Sequence, residues 1–471
     1  MGSDALQKPR HSKTLELFRI SRKSIGTYLV FTLKAIFSLA LCYVIYFVPV
    51  LKFLPSEWQD IVIPWTLIWV TIEVGFLLAV LVRVYYCSSI DHLPTLNAKE
   101  FRLFLAEIQS PRSIENAAEY LKGWFYGSDI GKIGKQDIMQ WLSALLYNQI
   151  QENMTVSQIS NVLVLMRSLE KRLGIKFDDV PNPNTKKMML THDPIEISFR
   201  PLIFYASMRF VATSIRLIYW RHGFQRKSKG SMVSYYRAGT SCEPSLVFFH
   251  GIGIGLGSYT RFILALVKKY PTRTIVLFEM PSVAMRLSLT HCLPEEFANL
   301  CAERLLEVGS TDNIVIGHSL GTALVRWMDY FHPNLVQHRI FVDPICFSLW
   351  TSDVAYNFVY RCPEKSQAMF LMKYFSAMEP GIALYLRRYF VWHHNTYFTE
   401  HLPKNCKIYL SERDSIVNTN YVSGYLERHP HDTREVDILK GLAHGDFLLG
   451  GNYNCIFSDI SRMGWVPSDT V

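Results

Sequence analysis

The stretch Ile314-Val315-Ile316-Gly317-His318-Ser319-Leu320-Gly321 constrains the fold of this chain most tightly. An apolar, β-branched run passes without a spacer into Gly-x-Ser-x-Gly, and the residues that follow, Thr322-Ala323-Leu324-Val325, form helix readily. A serine on so sharp a strand-to-helix turn needs small neighbours because side chains collide there, and Gly317 and Gly321 meet that need. The start of the following helix also favours developing negative charge. The pattern predicts a strand that ends on an exposed nucleophile.

The surrounding sequence has the right rhythm for such a turn. From residue 231, short β-branched and aromatic runs alternate with amphipathic stretches, as in an α/β fold with a mostly parallel sheet covered on both faces. Strands are expected over 231–237, 245–250, 273–279, 313–317, 339–343, 406–411 and 435–439, with helices near 258–270, 294–308, 320–331 and 418–428. The second strand runs into His250-Gly251-Ile252-Gly253-Ile254-Gly255, a loop able to bring backbone N–H groups to a substrate oxygen. A dinucleotide loop is the competing reading, but no helix begins cleanly at these glycines and no acid stands at the expected spacing.

A serine hydroxyl attacks poorly unless a base takes its proton, so a histidine and an acid to hold it are required downstream. Asp414 follows the strand 406–411, and His444 follows the strand 435–439 in Gly441-Leu442-Ala443-His444-Gly445-Asp446. The chain order is Ser, Asp, His. Asp343 also follows a strand and is the alternative acid; Asp414 is preferred because its loop leads directly into the His444 segment. Asp446 is read as a helix cap, and His250 and His318 as structural hydrogen-bonding residues.

With these motifs the chain resembles the α/β-hydrolase superfamily, in its lipase- and esterase-like branch with Gly-His-Ser-Leu-Gly elbows, over roughly residues 231 to 460. The resemblance implies an α/β-hydrolase fold with a helical cap. It implies Ser319 as nucleophile, His444 as general base and then acid, and Asp414 as orienting carboxylate. The N–H groups of Ile252 and Leu320 would form the oxyanion hole, with Gly251, Gly317 and Gly321 as the loop and elbow glycines. Serine at the elbow argues against the epoxide-hydrolase and dehalogenase branches, whose nucleophile is aspartate. The insertion at about 344–403 falls at the cap position and carries fourteen aromatic residues, which read as the cap's own core and as the lining of an acyl pocket. The pair His393-His394 within it lacks further ligands nearby in sequence, so no metal is expected, and the implied chemistry needs no cofactor.

The N-terminal half has a different character. Residues 1–25 are polar and basic. Two apolar runs, about 28–54 and 61–82, are separated by Pro55-Ser56-Glu57-Trp58-Gln59-Asp60 and read as a transmembrane hairpin within 26–84. Basic residues flank its outer ends and acids occupy its turn, which places both chain ends, and hence the hydrolase part, in the cytosol. The first run is long and lacks a clear small-residue cleavage site, so it is read as a span rather than a signal peptide. Leu6 stands where a myristoylation signal needs Ser or Thr. Residues 85–200 read as a helical accessory region and linker without chemistry, and 201–230 as an amphipathic interfacial helix, because Arg209 and Arg216 interrupt its apolar run.

Nine scattered cysteines without metal-ligand spacing fit a reduced compartment. The net charge of +9 is spread over the chain, with local patches before the first apolar run and around 200–229 that suit an anionic membrane surface, and no nucleic-acid motif accompanies them. The expected function is hydrolysis of a carboxylic ester, of a lipid or another apolar substrate, by a membrane-anchored serine hydrolase. Acyl transfer or amide cleavage by the same residues, and a non-catalytic membrane scaffold, are the alternatives.

Overall fold

The computed structural model describes residues 18–20, 53, 55–90, 93–179, 185–362 and 367–463. In chain order these form β1 (Phe18–Ile20), α1 (Ser56–Tyr86), α2 (Ala98–Gln109), α3 (Ala117–Trp124), α4 (Lys135–Tyr147), α5 (Val156–Leu173), β2 (Ile195–Ile197) and α6 (Leu202–Arg221). The sheet region follows with β3 (Gln225–Lys229), β4 (Met232–Arg237), β5 (Ser245–Phe249), α7 (Thr260–Lys269), β6 (Ile275–Glu279), α8 (Pro294–Glu307), β7 (Asn313–His318), α9 (Leu320–Phe331) and β8 (His338–Val342). An insertion carries α10 (Gln367–Met372), α11 (Pro380–Arg388) and α12 (Trp392–Asn395). The chain returns as β9 (Cys406–Ser411), α13 (Thr419–Glu427), β10 (Arg434–Leu439) and α14 (Asn454–Met463).

The eight strands β3 to β10 form one sheet in the order β10-β9-β8-β7-β5-β6-β4-β3. Strands β5 to β10 are parallel, while β4 runs antiparallel to β6 and β3 antiparallel to β4. All seven strands expected from the sequence are present. Alternating side chains cover the two faces: Leu246 and Phe248 pack with Phe262 and Ile263 of α7 and Phe457 of α14, whereas Val247 and Phe249 join Cys301 of α8 and Trp327 of α9. Burying each large apolar side chain contributes about 1.5–3 kcal/mol, so both layers hold the sheet.

The topology makes a crevice at one place. From β5 the chain crosses by α7 to β6 on one side, then returns by α8 to β7 on the other. Because α7 and α8 lie on opposite faces, the carboxyl ends of β5 and β7 open between them, where ligand crevices form in such sheets. The glycine-rich loop and the serine turn leave those two strand ends.

The sequence reading missed β3. Its residues Gln225-Arg226-Lys227-Ser228-Lys229 are all exposed at the sheet edge, so they carry no apolar alternation. Lys227 lies 2.7 Å from Glu307, and Lys229 pairs with Glu303, so these two charges of the supposed membrane patch are neutralised on α8. The sheet therefore begins before residue 231.

The basic flank lies outside the described residues except for β1, and the first expected span, 28–54, lies outside them except for Phe53. The second expected span lies within α1. Among the described residues, α1 and α6 are the helices long and apolar enough to cross a membrane. The N-terminal half of α1 exposes Trp58, Trp65, Leu67, Trp69 and Ile72, whereas Leu77, Val80, Leu81 and Val84 dock against β2 and Ala383 and Leu384 of α11. At the junction, Glu73 is buried and both carboxylate oxygens accept the Leu202 N–H at 3.0 Å, capping α6. Helix α6 buries only Tyr205, Ile215 and Tyr219 and exposes Ile203, Phe210, Leu217 and Trp220.

Residues 85–200 do not stand apart from the sheet region. Helices α2 to α5 share a buried cluster with the insertion and one face of the sheet. Polar ties cross this contact: the Trp124 indole donates to the Trp350 carbonyl at 3.1 Å, and the Trp392 indole to the Leu145 carbonyl at 2.8 Å. Glu107 accepts the Thr399 N–H at 2.6 Å.

Candidate active site

Ser319 sits between β7 and α9 with φ 53° and ψ −121°, a left-handed conformation that costs a non-glycine residue about 1–3 kcal/mol. The close approach of three glycines holds it there. A Cβ on Gly321 would lie 2.2 Å from the Phe249 carbonyl oxygen, and one on Gly317 would lie 2.6 Å from the Gly321 carbonyl oxygen. A Cβ on Gly251 would meet the Ser319 Cβ at 2.9 Å. The loop after β5 is thus pressed against the serine.

His444 and Asp414 reach the same point. The Ser319 Oγ lies 2.9 Å from His444 Nε2, and His444 Nδ1 lies 2.7 Å from Asp414 Oδ2. A carboxylate only accepts, so Nδ1 carries the proton and Nε2 is left to accept from the serine hydroxyl. The other oxygen of Asp414 accepts the N–H groups of Ile416 at 2.7 Å and Val417 at 2.9 Å, which fixes its orientation. Burial disfavours the imidazolium of His444, but the charge and hydrogen bond of Asp414, with the charge of Asp343, outweigh it and raise the pKa above the ordinary histidine value.

Asp343, the alternative acid, is engaged elsewhere. Its oxygens accept the N–H groups of Ser411 at 3.0 Å and Gly445 at 2.8 Å, so it braces the backbone beside His444. His318 places Nδ1 2.6 Å from the Tyr259 hydroxyl, and its ring packs against His444 and Phe447. Burial pushes its pKa below the ordinary histidine value, against the pull of the Asp343 carboxylate 3.6 Å from Nε2. His250 lies in the same layer, with Nδ1 2.6 Å from the Gly251 carbonyl and Nε2 accepting the Met280 N–H at 3.0 Å. The Asp446 carboxylate accepts the Ala443 N–H at 2.9 Å, closing the turn that presents His444.

The N–H groups of Ile252 and Leu320 take no protein acceptor among the described residues, and both residues line the cavity that holds Ser319 and His444. The site therefore brings together a serine, a histidine hydrogen-bonded to a carboxylate, and two backbone N–H groups without a protein acceptor among the described residues.

The cavity is chiefly apolar. From the insertion come Ile345, Leu349, Phe358, Met372, Phe390 and Trp392. Its opposite wall comes from the N-terminal half: Trp124, Trp141, Ala144 and Leu145 of the helical layer, with Met188 and Leu190 from the segment before β2. The sequence reading assigned no chemistry to residues 85–200, because their apolar spacing is that of any buried helix face. Only the fold shows that part of this face is cavity wall.

No protein-family model matches this chain, and no curated protein matches it. Solved structures with a similar arrangement include a carboxylesterase of the thaumarchaeon Nitrososphaera gargenis (16% identity, 51% of this chain and 98% of that one, TM-score 0.36). Others are carboxylesterase CesB from Bacillus subtilis (13% identity, 56% and 100%, TM-score 0.40) and a bacterial membrane phospholipase A (16% identity, 55% and 94%, TM-score 0.37). Likeness at this level carries nothing about activity.

Proposed function

We propose that this chain is a membrane-anchored serine hydrolase that cleaves carboxylic esters of lipids through an acyl-enzyme on Ser319. The observation that carries this reading is the hydrogen-bonded chain Ser319–His444–Asp414 at an apolar cavity. As Ser319 Oγ attacks the ester carbonyl, His444 Nε2 takes its proton and Asp414 stabilises the imidazolium. The oxyanion forms beside the N–H groups of Ile252 and Leu320. The tetrahedral intermediate collapses, His444 protonates the departing alcohol, and the acyl group stays on Ser319. Water then attacks that ester with His444 as base, releasing the carboxylic acid and restoring the serine.

Two features favour a lipid and a membrane. The lining is dominated by aliphatic and aromatic side chains, which take an acyl chain but give a polar substrate few partners. The segment 367–377 also faces two ways: Met372 and Ser376 line the cavity, while Phe370, Leu371 and Phe375 are exposed. Phe375 stacks on Phe204 of α6 at 6.0 Å, so this outer face continues the exposed apolar side of α6. Arg209, Arg216 and Arg221, all exposed on α6, supply the charge an anionic headgroup layer attracts.

The direct test is labelling of the detergent-extracted full chain with a fluorophosphonate probe. Strong labelling that disappears in Ser319→Ala supports the reading; a folded native chain that does not label leaves the scaffold alternative standing. The raised pKa of His444 gives a second expectation. Only neutral His444 can act as base, so kcat/KM should rise with pH through an apparent pKa above the ordinary value of about 6.5. In Asp414→Asn the residual acid limb should move to lower pH. For topology, Asn153 of the sequon Asn153-Met154-Thr155 lies on an exposed turn, yet a cytosolic domain should carry no glycan there. Glycosidase treatment of the native chain from eukaryotic cells should leave its gel mobility unchanged, and a shift abolished by Asn153→Gln would reverse the orientation.

A further inference from the structure

The adjacent histidines of the insertion meet a third group that the sequence did not reveal. Helix α2 begins with a capping box in which the Asn97 N–H donates to Glu100 Oε2 at 2.9 Å. The other oxygen, Oε1, points away from the cap towards α12. It lies 3.2 Å from His393 Nδ1 and 3.3 Å from His394 Nε2. Glu100 and His393 are buried, at 6% and 3% exposed, and His394 is partly buried.

We propose that Glu100, His393 and His394 form a binding site for a zinc-class divalent transition metal that clamps helix α2 to the insertion. Three observations carry it. First, the two separations from Glu100 are those of neighbouring ligands around one ion. Bonds of about 2.0–2.2 Å in a tetrahedral arrangement put neighbouring ligand atoms about 3.3–3.5 Å apart, close to the separations seen here. The three ligand atoms all lie within 4.8 Å of one another.

Second, the approach of His393 to Glu100 lacks the alignment of a hydrogen bond. His393 Nδ1 has no hydrogen-bond partner although a carboxylate oxygen lies 3.2 Å away, so the ring plane is not aimed along the N–O line. Third, the second nitrogen of His393 is tied in the way that orients a metal ligand. His393 Nε2 lies 3.4 Å from the Pro94 carbonyl, which can only accept, so Nε2 carries a proton and, in the neutral ring, Nδ1 presents its lone pair to Glu100. A lone pair facing a buried carboxylate is repulsive unless a cation lies between them.

The two histidines use different nitrogens, and this lets consecutive residues converge. His393 offers the near nitrogen Nδ1 and His394 the far nitrogen Nε2, which compensates for their different directions along a short helix. Two imidazoles and a carboxylate suit zinc and its neighbours better than magnesium or calcium, which prefer all-oxygen sets. The partly exposed side of His394 leaves the remaining position to solvent. His393 also lines the cavity beneath the insertion, so a clamp here would fix the wall opposite Ser319. The inference does not depend on ester hydrolysis.

The test uses the full chain in detergent, loaded with zinc or cobalt, desalted and assayed for metal by mass spectrometry. One equivalent should be retained, the cobalt form should show intense visible bands of low coordination number, and a chelator should lower the melting temperature by several degrees. Glu100→Gln, which keeps an acceptor for the Asn97 N–H, and His394→Ala should lose both the equivalent and the chelator effect, whereas His444→Ala should keep them. If His394→Ala fails to fold, Glu100→Gln and the cobalt spectrum of the native chain still decide. Absence of retained metal, with a melting temperature indifferent to chelator, would overturn the proposal and leave a simple ion pair. Metal lost in His444→Ala but kept in Glu100→Gln would overturn it in favour of the Asp343, Asp414 and His444 cluster.

Discussion

Ser319→Ala and His444→Ala are each expected to lower kcat for a long-chain ester by about ten-thousand-fold or more, with the double variant no worse than either single one. The non-additivity follows from the geometry. With His444 Nε2 at 2.9 Å from Ser319 Oγ, removing either partner abolishes the same proton transfer, and the second loss has nothing left to remove. Asp414→Asn should cost a comparable factor, about ten-thousand-fold, because an amide in place of the carboxylate can favour the wrong tautomer of His444. Asp343→Asn should behave differently. Its oxygens brace the Ser411 and Gly445 backbone, so the change should appear as lost stability of about 1–3 kcal/mol with a smaller fall in kcat. Steady-state kinetics and thermal unfolding on the four single variants and the double variant separate these patterns. A larger kcat loss for Asp343→Asn than for Asp414→Asn would reassign the acid.

Gly321→Ala is expected to be among the most destabilising single-methyl substitutions in the chain. The added Cβ would lie 2.2 Å from the Phe249 carbonyl oxygen and 2.7 Å from its carbon, and both are backbone atoms of a central strand. Neither can rotate aside, so β5 and the start of α9 must separate at the place where the elbow is built. A loss of about 3 kcal/mol or more should follow, read as a lower midpoint in denaturant unfolding. Gly131→Ala is the control: nothing lies within 4 Å of its Cβ position, and its stability should change by no more than about 0.5 kcal/mol. Equal midpoints for the two variants would show that the close approach of β5 to the elbow is not maintained in solution.

The sheet was legible because its signals are local. In Ile314-Val315-Ile316 the apolar run, the turn glycines and the helix start are contiguous, so one short segment specifies strand, elbow and helix together. Asp414 and His444, which the structure brings to Ser319, stand out in the same way, each just beyond a short apolar strand. Strand β3 escaped because an edge strand of exposed polar residues has no apolar period, and its pairing with β4 is visible only in three dimensions. The role of Asp343 stayed open for a related reason: sequence places it after a strand, but not which N–H groups surround it. The cavity wall from Trp124 and Trp141, and the meeting of Glu100 with His393 and His394, depend on helices packing across long sequence separations. No local pattern encodes such contacts.

The identity of the nucleophile is tested most directly by trapping the intermediate. The full chain in detergent is mixed with a long-chain p-nitrophenyl ester, quenched in acid within one turnover, digested, and its peptides weighed. A serine-centred mechanism requires the acyl mass on the peptide containing Ser319, accumulating with a burst of p-nitrophenol and absent in Ser319→Ala. Turnover by the native chain with the acyl group on another residue, or with no acyl-enzyme and no effect of Ser319→Ala, would contradict it.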